Sequence, residues 1–413
     1  MKALAMGILL LLSVAMQAQY LESYRNTSLK KEPNSSSGQV LGSDIAKGDW
    51  LHLLDSGKQA NGYYKVKIHG TNTKGWIYRS LVKRKQGKIP TFLKDFTGVE
   101  VTVIDVGAGL SCLIKLPDNR YFVYDGGRGY NAWRYITGVV DSSIPIEKLF
   151  LSHTDDDHWG SVAKLAESYQ IKEALYTSYR TEPLPQYAEA GVAALKTEEG
   201  INRIDLKSHP LKPGHVLFSE GETRLTFVSG FGKLPEYWDL GSDHSKANNG
   251  VSIVLRLDYY DMSVLLTGDA VGLDDCKTNC DCPAECIATE RFMLDSARNL
   301  LDVDVLIAAH HGAYNANCSD FIEATSPEYV AFSAGGMYRH PRKLTVDRFI
   351  EFGVDEQHIF RTDKGKKQKD GSKDCADEWD GWDSTDTGSD DSLDDHIKIQ
   401  MSNRGRLIVD YLE

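Results

Sequence analysis

At 413 residues with 41% hydrophobic content, the chain is long enough for two or three folded units and ordinary enough in composition to pack them. Its net charge of −12 is concentrated in a tract from Asp374 to Asp395 that holds ten acids and no base. This excludes a generally basic, polyanion-coating protein and leaves the remaining surface close to neutral.

The chain opens on Met1-Lys2, an apolar run from Ile8 to Val14, and small or polar residues to Ala18. One positive charge, a short apolar core and a cut near Ala18–Gln19 are the parts of a secretory signal. Residues 1–18 are therefore expected to be removed and the mature protein to be extracytoplasmic, either periplasmic or secreted. Met16 fits poorly three places before that cut. No later segment is long and apolar enough to cross a bilayer, so no transmembrane span is expected after cleavage.

Residues 20–85 read as a small all-β unit. Trp50-Leu-His-Leu-Leu54, Tyr63-Tyr-Lys-Val-Lys-Ile68 and Gly75-Trp-Ile-Tyr78 alternate apolar and polar residues between Gly, Asn and Ser turns. Together with Ser28 to Gly42 and Lys47-Gly-Asp49, these runs resemble bacterial SH3-like domains. The resemblance implies a small barrel and a cell-wall peptide as a candidate partner, although fold alone does not fix function.

Residues 86–97 follow as a polar linker, and the texture then changes over 98–413. Val99–Asp105, Tyr121–Tyr124, Lys148–Ser152, Val251–Leu257 and Met262–Leu266 are apolar or β-branched runs closed by Gly or Asp, as strands are. Val162, Leu165, Ala166 and Tyr169 have helical spacing. Strands and helices alternating over this length predict sheets covered by helices, an α/β class. Four of the seven cysteines crowd into a loop at 275–286 (Cys276, Cys280, Cys282 and Cys286), with Cys318 and Cys375 beyond it. A disulfide-stapled loop is expected there, with a Cys-ligated structural metal as the alternative. Cys112 follows an apolar strand and reads as a plain buried thiol. Residues 364–395 form the acidic insertion, and Ile397–Gln400 with Arg406–Tyr411 read as a returning strand pair.

The chemistry concentrates in His153-Thr-Asp155-Asp-Asp157-His158, where an apolar strand ends and a helix begins. Two His and three Asp in six positions repel and desolvate one another unless divalent cations take them as ligands. The same arrangement recurs at two further strand ends, Leu265-Leu-Thr-Gly-Asp269 and Val305-Leu-Ile-Ala-Ala-His310-His311-Gly312. Three such clusters in one domain point to a metal site.

His-x-Asp-x-Asp-His, Thr-Gly-Asp and His-His-Gly, in this order, resemble the metallo-β-lactamase superfamily. More narrowly they resemble the soluble domain of the competence protein ComEC, as do Asp105-Val-Gly-Ala-Gly109, Tyr124-Asp125-Gly-Gly127, Asn248-Asn249-Gly-Val and Ser333 to Pro341. The resemblance implies an αββα sandwich, here preceded by the small all-β SH3-like barrel. It also implies two divalent cations, zinc or manganese. His153 and Asp155 would serve one cation, Asp157 and His158 the other. Asp269 would bridge them and His310 complete the second site, with His311 the competing choice. Asn248 and Asn249 stand where many members carry a His, as an oxygen ligand or a substrate contact. Two departures are Ala108 and Leu110, where the ComEC-type loop usually has Gln and Asp. The membrane channel that accompanies the ComEC domain has no counterpart in this sequence.

Two cations acidify a shared water towards neutral pH and make it a nucleophile, with Asp157 a candidate proton acceptor. His340, beside Pro341, is a candidate contact to a phosphoryl or leaving-group oxygen. Asp155 in place of a His makes the donor set oxygen-rich and shifts preference from zinc towards manganese. The expected activity is phosphodiester or nucleic-acid cleavage. Ester, lactone or amide hydrolysis is the alternative, and a cell-surface binding protein acting through the SH3-like unit is the second.

Overall fold

The computed structural model describes residues 19–55, 58–86, 92–93, 96–240, 243–274, 285–335, 338, 340–362 and 395–412. The leader at 1–18, Cys276, Cys280, Cys282, Cys375 and nearly all of the acidic insertion lie outside the described residues. The chain divides into two compact units, Met1–Asp95 and Phe96–Glu413. No helix among the described residues is long and apolar enough to cross a membrane.

The first unit is all-β, as its alternation predicts. Its strands are β1 (Gln19–Ser23), β2 (Thr27–Lys30), β3 (Gln39–Ile45), β4 (Trp50–Leu53), β5 (Gln59–Ala60), β6 (Tyr63–Ile68), β7 (Lys74–Tyr78) and β8 (Val82–Gln86). They pair in the order β3-β2-β7-β6-β4-β1-β8, with β5 against β6. Alternate residues such as Leu21, Leu51, Val66 and Ile77 point into its own small core.

The second unit holds two sheets. The first is built from β9 (Gly98–Val103), β10 (Cys112–Lys115), β11 (Tyr121–Tyr124), β12 (Ile146–Phe150), β13 (Ile171–Tyr176) and β14 (Asn202–Asp205). The second runs in chain order through β15 (Val216–Glu220), β16 (Thr223–Ser229), β17 (Val254–Tyr259), β18 (Met262–Leu266), β19 (Val305–Ile307), β20 (Tyr329–Phe332) and β21 (Ile359–Arg361). The chain then returns as β22 (Ile397–Ser402) and β23 (Arg406–Tyr411), an antiparallel pair that joins the first sheet through β9.

Side-chain alternation sorts these strands into layers. Phe122, Tyr124, Phe150, Leu255, Leu257, Val264 and Leu266 meet between the two sheets, with Cys112 buried among them as a free thiol. Val123 and Leu149 face outward and pack under α1 (Asn131–Val139), α3 (Val162–Ser168) and α4 (Gln186–Thr197). Val254 and Leu265 face the opposite way, under α6 (Ala288–Ser296), α7 (Ser319–Thr325) and α8 (Lys343–Glu351). The result is the expected four-layer α/β sandwich, helices outside and two sheets within. Two short helices, α2 (Asp156–Trp159) and α5 (His244–Asn249), sit beside the strand ends where the ligand-type residues collect.

The expected strand at Val251–Leu257 begins only at Val254. Residues 251–253 peel away because their polar groups serve the site: Asp269 donates its backbone N–H to Ser252 Oγ, and Ile253 donates to the Ser152 carbonyl.

Candidate metal centre

Each cluster leaves its strand by a turn that only certain residues can make. After β12, Asp155 is the residue before α2, which places Asp157 and His158 on that helix. After β18, Gly268 has φ +54, and a Cβ there would stand 2.6 Å from the Ser152 Cβ. After β19, His310, His311 and Gly312 all have left-handed φ values, +51, +55 and +82. Two successive non-Gly residues in that region are strained and persist only where the surroundings hold them. Here Asn317 does so, accepting the Ala309 N–H and donating to the Ala309 carbonyl. Buried Glu290 in turn accepts the backbone N–H groups of Asn317 and Cys318. The Ala108–Leu110 loop acts through its backbone: Leu110 donates to the Asp157 carbonyl, and a Cβ on Gly109 would stand 2.3 Å from that oxygen.

The turns bring one oxygen of Asp269 within 3.2 Å of His158 Nε2 and 3.4 Å of His311 Nε2. Its other oxygen lies 3.8 Å from His153 Nε2 and 3.7 Å from His310 Nε2. Asp157 approaches His311 at 3.9 Å, and Asp155 approaches His153 at 3.6 Å. Among the described residues two donor groups of metal-binding geometry emerge: His153, His158 and Asp269; and Asp157, His158 and His311. His311, rather than His310, therefore stands with Asp157 and His158. The left-handed turn sends the two neighbouring rings to different sides, which adjacent sequence positions do not reveal.

Hydrogen bonds fix the imidazoles. His158 donates from Nδ1 to the Asp125 carboxylate at 2.8 Å, and His311 donates from Nδ1 to the Ser333 carbonyl at 2.8 Å. The Ser152 hydroxyl donates to Asp125 at 2.7 Å, so its oxygen accepts from His153 Nδ1 at 3.0 Å. All three rings consequently turn an Nε2 lone pair towards Asp269. Among the described residues, His158 Nε2, His311 Nε2 and Asp269 Oδ1 are buried with no hydrogen-bond partner. Acceptors facing acceptors at this distance fit a divalent cation between them, as the chemistry of the donor set requires.

The charges respond accordingly. Burial lowers the His158 pKa, but Asp269 and Asp125 outweigh it and hold the ring well above its ordinary value. Burial opposes ionisation of Asp269, yet His158, His311 and His310 together hold its carboxyl well below the usual range. Asp155 is likewise opposed by burial and lowered to about 2 by His153 and Arg180, whose Nη1 donates to it at 2.5 Å. Buried carboxylates held anionic in this way draw positive charge to the site, which a divalent cation supplies when the rings keep their Nε2 lone pairs.

The other predicted residues lie around this centre. The His340 ring stands 5.9 Å from that of His310 and 6.2 Å from that of His311. Burial, followed by the two neighbouring rings, holds it neutral, its pKa well below the ordinary value. Asn249 faces the centre from α5. Asn248 instead turns its amide oxygen to Thr181, accepting from the backbone N–H at 3.1 Å and the hydroxyl at 3.3 Å. An open cleft of about 290 Å³ leads in past Asp155, Asp157, Asn248, Arg128, Arg180 and Tyr338. Sequence reasoning gave no role to Asp125, Ser152, Ser333, Arg128 or Arg180. Asp125 carried a signal, as an acid closing an apolar strand before two glycines, and Ser333 opened a segment of the family resemblance.

A profile described as the Metallo-beta-lactamase superfamily matches residues 104–310, half of the chain. Among curated proteins the chain is 26% identical over 273 residues to Competence protein ComA of Neisseria gonorrhoeae, covering 64% of this chain and 31% of that protein. It is 24% identical over 263 residues to Recombination protein 2 of Haemophilus influenzae, covering 61% of this chain and 26% of that one. It is 24% identical over 293 residues to ComE operon protein 3 of Bacillus subtilis, covering 64% and 32%. The chain thus spans about a third or less of the length of the curated relatives it matches.

Proposed function

The chain belongs to the metallo-β-lactamase superfamily as a ComEC-like, metal-dependent hydrolase, and from that premise we propose that it cleaves phosphodiesters, including those of nucleic acids. The observation that carries this reading is the cleft mouth, where Arg128 and Arg180 flank Asp155 and Asp157, two carboxylates of the metal centre. Arginine forks match phosphate oxygens in shape and charge. Arg180 is anchored by Asp155 and the Thr154 carbonyl, and its buried Nε has no partner among the described residues. Arg128 is held from the other rim, donating to the Tyr338 hydroxyl at 3.0 Å. The competence-related relatives agree with a DNA connection.

His153, Asp155 and Asp269 would hold one divalent cation, and Asp157, His158, His311 and Asp269 the other. Such a pair supplies Lewis-acid polarisation of a phosphoryl oxygen and an acidified water. The residues themselves do the rest. Asp157, half-buried at the cleft, is placed to accept a proton, and Arg128 and Arg180 orient the anionic ester. His340, being neutral, contacts a leaving-group oxygen by N–H donation rather than as an imidazolium. The carboxylate share of the donor set favours manganese over zinc.

Hydrolysis of bis(p-nitrophenyl) phosphate and p-nitrophenyl acetate, each with Mn²⁺ and with Zn²⁺, tests this. We expect turnover of the diester that vanishes in the His153→Ala/Asp157→Ala double variant. Faster turnover of the acetate would favour the ester, lactone or amide reading, and diester turnover surviving the double substitution would refute both. The reading also places the protein outside the cytoplasm, supported by the leader pattern at 1–18 and by the Cys286–Cys318 disulfide, which an oxidising compartment permits. Cell fractionation that recovers it only from the cytosol would refute that placement.

A further inference from the structure

Charge is divided unevenly between the two units. The whole chain carries −12, yet residues 19–86 hold twelve Lys and Arg against five Asp and Glu. Such an excess in so short an all-β unit marks a partner of negative charge. Strand register shows where the charges stand. Leu21, Leu51, Val66, Ile68 and Ile77 fill the core of this unit, so their neighbours along each strand lie on its outer face.

Pairing brings those outer residues into rows. Lys74 of β7 stands opposite Lys67 of β6, and Lys67 opposite His52 of β4. The row continues from His52 to Tyr20 of β1 and from Tyr20 to Lys85 of β8. In a neighbouring row Trp76 stands between Lys30 of β2 and Lys65 of β6, whose ammonium lies 5.9 Å from the Trp76 ring centre. A third row runs from Trp50 through Glu22 to Lys83. Glu22 is the one acid within β7, β6, β4, β1 and β8, and Lys85 takes it up at 2.6 Å. Of the other lysines in these rows, only Lys65 lies near a carboxylate among the described residues, that of Asp55 at 3.6 Å. Burial, with His69 and Lys67 beside it, lowers the His52 pKa to about 4, so the charge of the rows is that of the lysines.

The rings interleaved with the lysines select among polyanions. Trp50 and Trp76 are half-buried, each with part of its ring open to solvent, while Lys74 and Lys83 are exposed. Lysines match the phosphates of a nucleic-acid strand, and unpaired bases stack on flat rings between them. A duplex hides its base faces, and a bilayer surface presents no flat ring to stack.

We propose that the outer face of β7, β6, β4, β1 and β8 binds single-stranded nucleic acid, with Lys67, Lys74 and Lys83 on phosphates and Trp76 as a platform for a base. This partner takes the place of the cell-wall peptide implied by the SH3-like resemblance. The binding is independent of the bond that the metal centre breaks. Where that bond is a phosphodiester, holding the polymer on the same chain raises its effective concentration at the site; only this benefit rests on the function proposed above.

Fluorescence anisotropy of a labelled oligo(dT) of about 15 nucleotides, within the span of one such site, measures the binding. The full chain carries His153→Ala/Asp157→Ala throughout, so that the probe stays intact, and thermal unfolding checks that each variant is folded. The affinity should fall with salt, log K against log salt sloping at about −2 to −3 for three or four phosphates. Lys67→Gln/Lys74→Gln/Lys83→Gln should weaken binding at least about tenfold near 0.1 M salt and flatten that slope by about 2. Trp76→Leu should weaken it about fivefold or more, and Trp76→Phe, which keeps a flat ring, should recover most of the loss. Neutralising three lysines of the second unit, Lys164→Gln/Lys172→Gln/Lys196→Gln, should leave both affinity and slope unchanged. Duplex DNA and phosphatidylglycerol vesicles should compete poorly. Equal weakening by the two triple variants, wild-type affinity in Trp76→Leu, or stronger competition by the duplex, the vesicles or purified peptidoglycan overturns the proposal. A wild-type chain inert towards bis(p-nitrophenyl) phosphate, whose oligonucleotide binding still depends on this face, refutes the phosphodiester reading and leaves the present one standing.

Discussion

Asp125→Asn is the substitution that probes most directly how the metal centre is held. The wild-type carboxylate accepts three hydrogen bonds: from the Ser152 N–H at 2.7 Å, the Ser152 hydroxyl at 2.7 Å and His158 Nδ1 at 2.8 Å. An amide has one accepting end. If its oxygen faces the Ser152 N–H, its NH₂ opposes both the Ser152 hydroxyl and His158 Nδ1. His158 then moves its proton to Nε2, and the lone pair aimed at Asp269 is lost. The Ser152 hydroxyl must also reorient, which removes the acceptor that fixes His153. If the amide is turned the other way, its NH₂ meets a buried backbone N–H, a mismatch of about 1–3 kcal/mol. The second outcome strains the Ser152 backbone next to His153, so the first is expected to prevail, and it weakens both proposed cation sites although Asp125 touches neither. Loss of such support costs roughly 10–100-fold in metal affinity, or about 1.4–2.8 kcal/mol. Calorimetric titration of the purified variant with Mn²⁺ measures it. A dissociation constant within twofold of the wild type, in a folded variant, would refute the reasoning.

Three further outcomes follow from the packing. Gly268→Ala must place a Cβ 2.6 Å from the Ser152 Cβ at φ +54. It should destabilise by about 2–4 kcal/mol, read by urea denaturation. Burial of Glu290 raises its carboxyl from 4.5 to about 7, against two backbone N–H donors and Arg348. The folded state therefore holds that proton more tightly than the unfolded chain, so stability should fall as pH rises from 4.5 to about 7 and level off above. The size is about 3 kcal/mol at most, and Glu290→Gln should flatten the slope between denaturation curves at pH 5 and pH 7.5. Cys286 and Cys318 are bonded across a separation of 32 residues. Cys286→Ser/Cys318→Ser should cost about 3–4 kcal/mol on a chain-entropy estimate, seen as a lowered Tm insensitive to reductant.

What the sequence made legible and what it hid have different physical origins. Strands such as Tyr121–Tyr124 and Met262–Leu266 are buried throughout, so their apolar runs stand out. β14 and β15, at the sheet edges, have only exposed or half-buried residues; β14 (Asn-Arg-Ile-Asp) has no apolar run, and the three apolar residues that open β15 show no alternation. The ligand types were visible because His and Asp concentrate at strand ends. Their division into groups was not, since neighbours such as His310 and His311 part only through a strained turn. The supporting residues were least visible. Asp125 and His158 are 33 positions apart, and Ser333 reaches His311 only through its backbone carbonyl. A strand-end aspartate before two glycines marks a special position, but neither it nor a serine announces which distant residue it contacts.

Those contacts also explain why the centre draws on both sheets without depending on the loops between them. His153 to His158 follow β12 of the first sheet, whereas Asp269, His310 and His311 follow β18 and β19 of the second. The distance between the clusters is set by hydrogen bonds that cross the sandwich beside the site. The Tyr124 hydroxyl donates to the Ile253 carbonyl at 2.6 Å, and the Ile253 N–H donates to the Ser152 carbonyl at 2.9 Å. The His310 N–H donates to the Gly268 carbonyl at 3.0 Å, joining the two turns of the second sheet. Because these groups are main-chain atoms or buried side chains, the Asp269 carboxylate cannot drift from His153 and His158 without breaking the inter-sheet core. A carboxylate that is to serve two cations, as proposed for Asp269, would need that constraint, since a shift of a few tenths of an ångström would favour one cation at the other's expense. The close approach of Gly268 to Ser152 therefore belongs to the chemistry as much as to the fold.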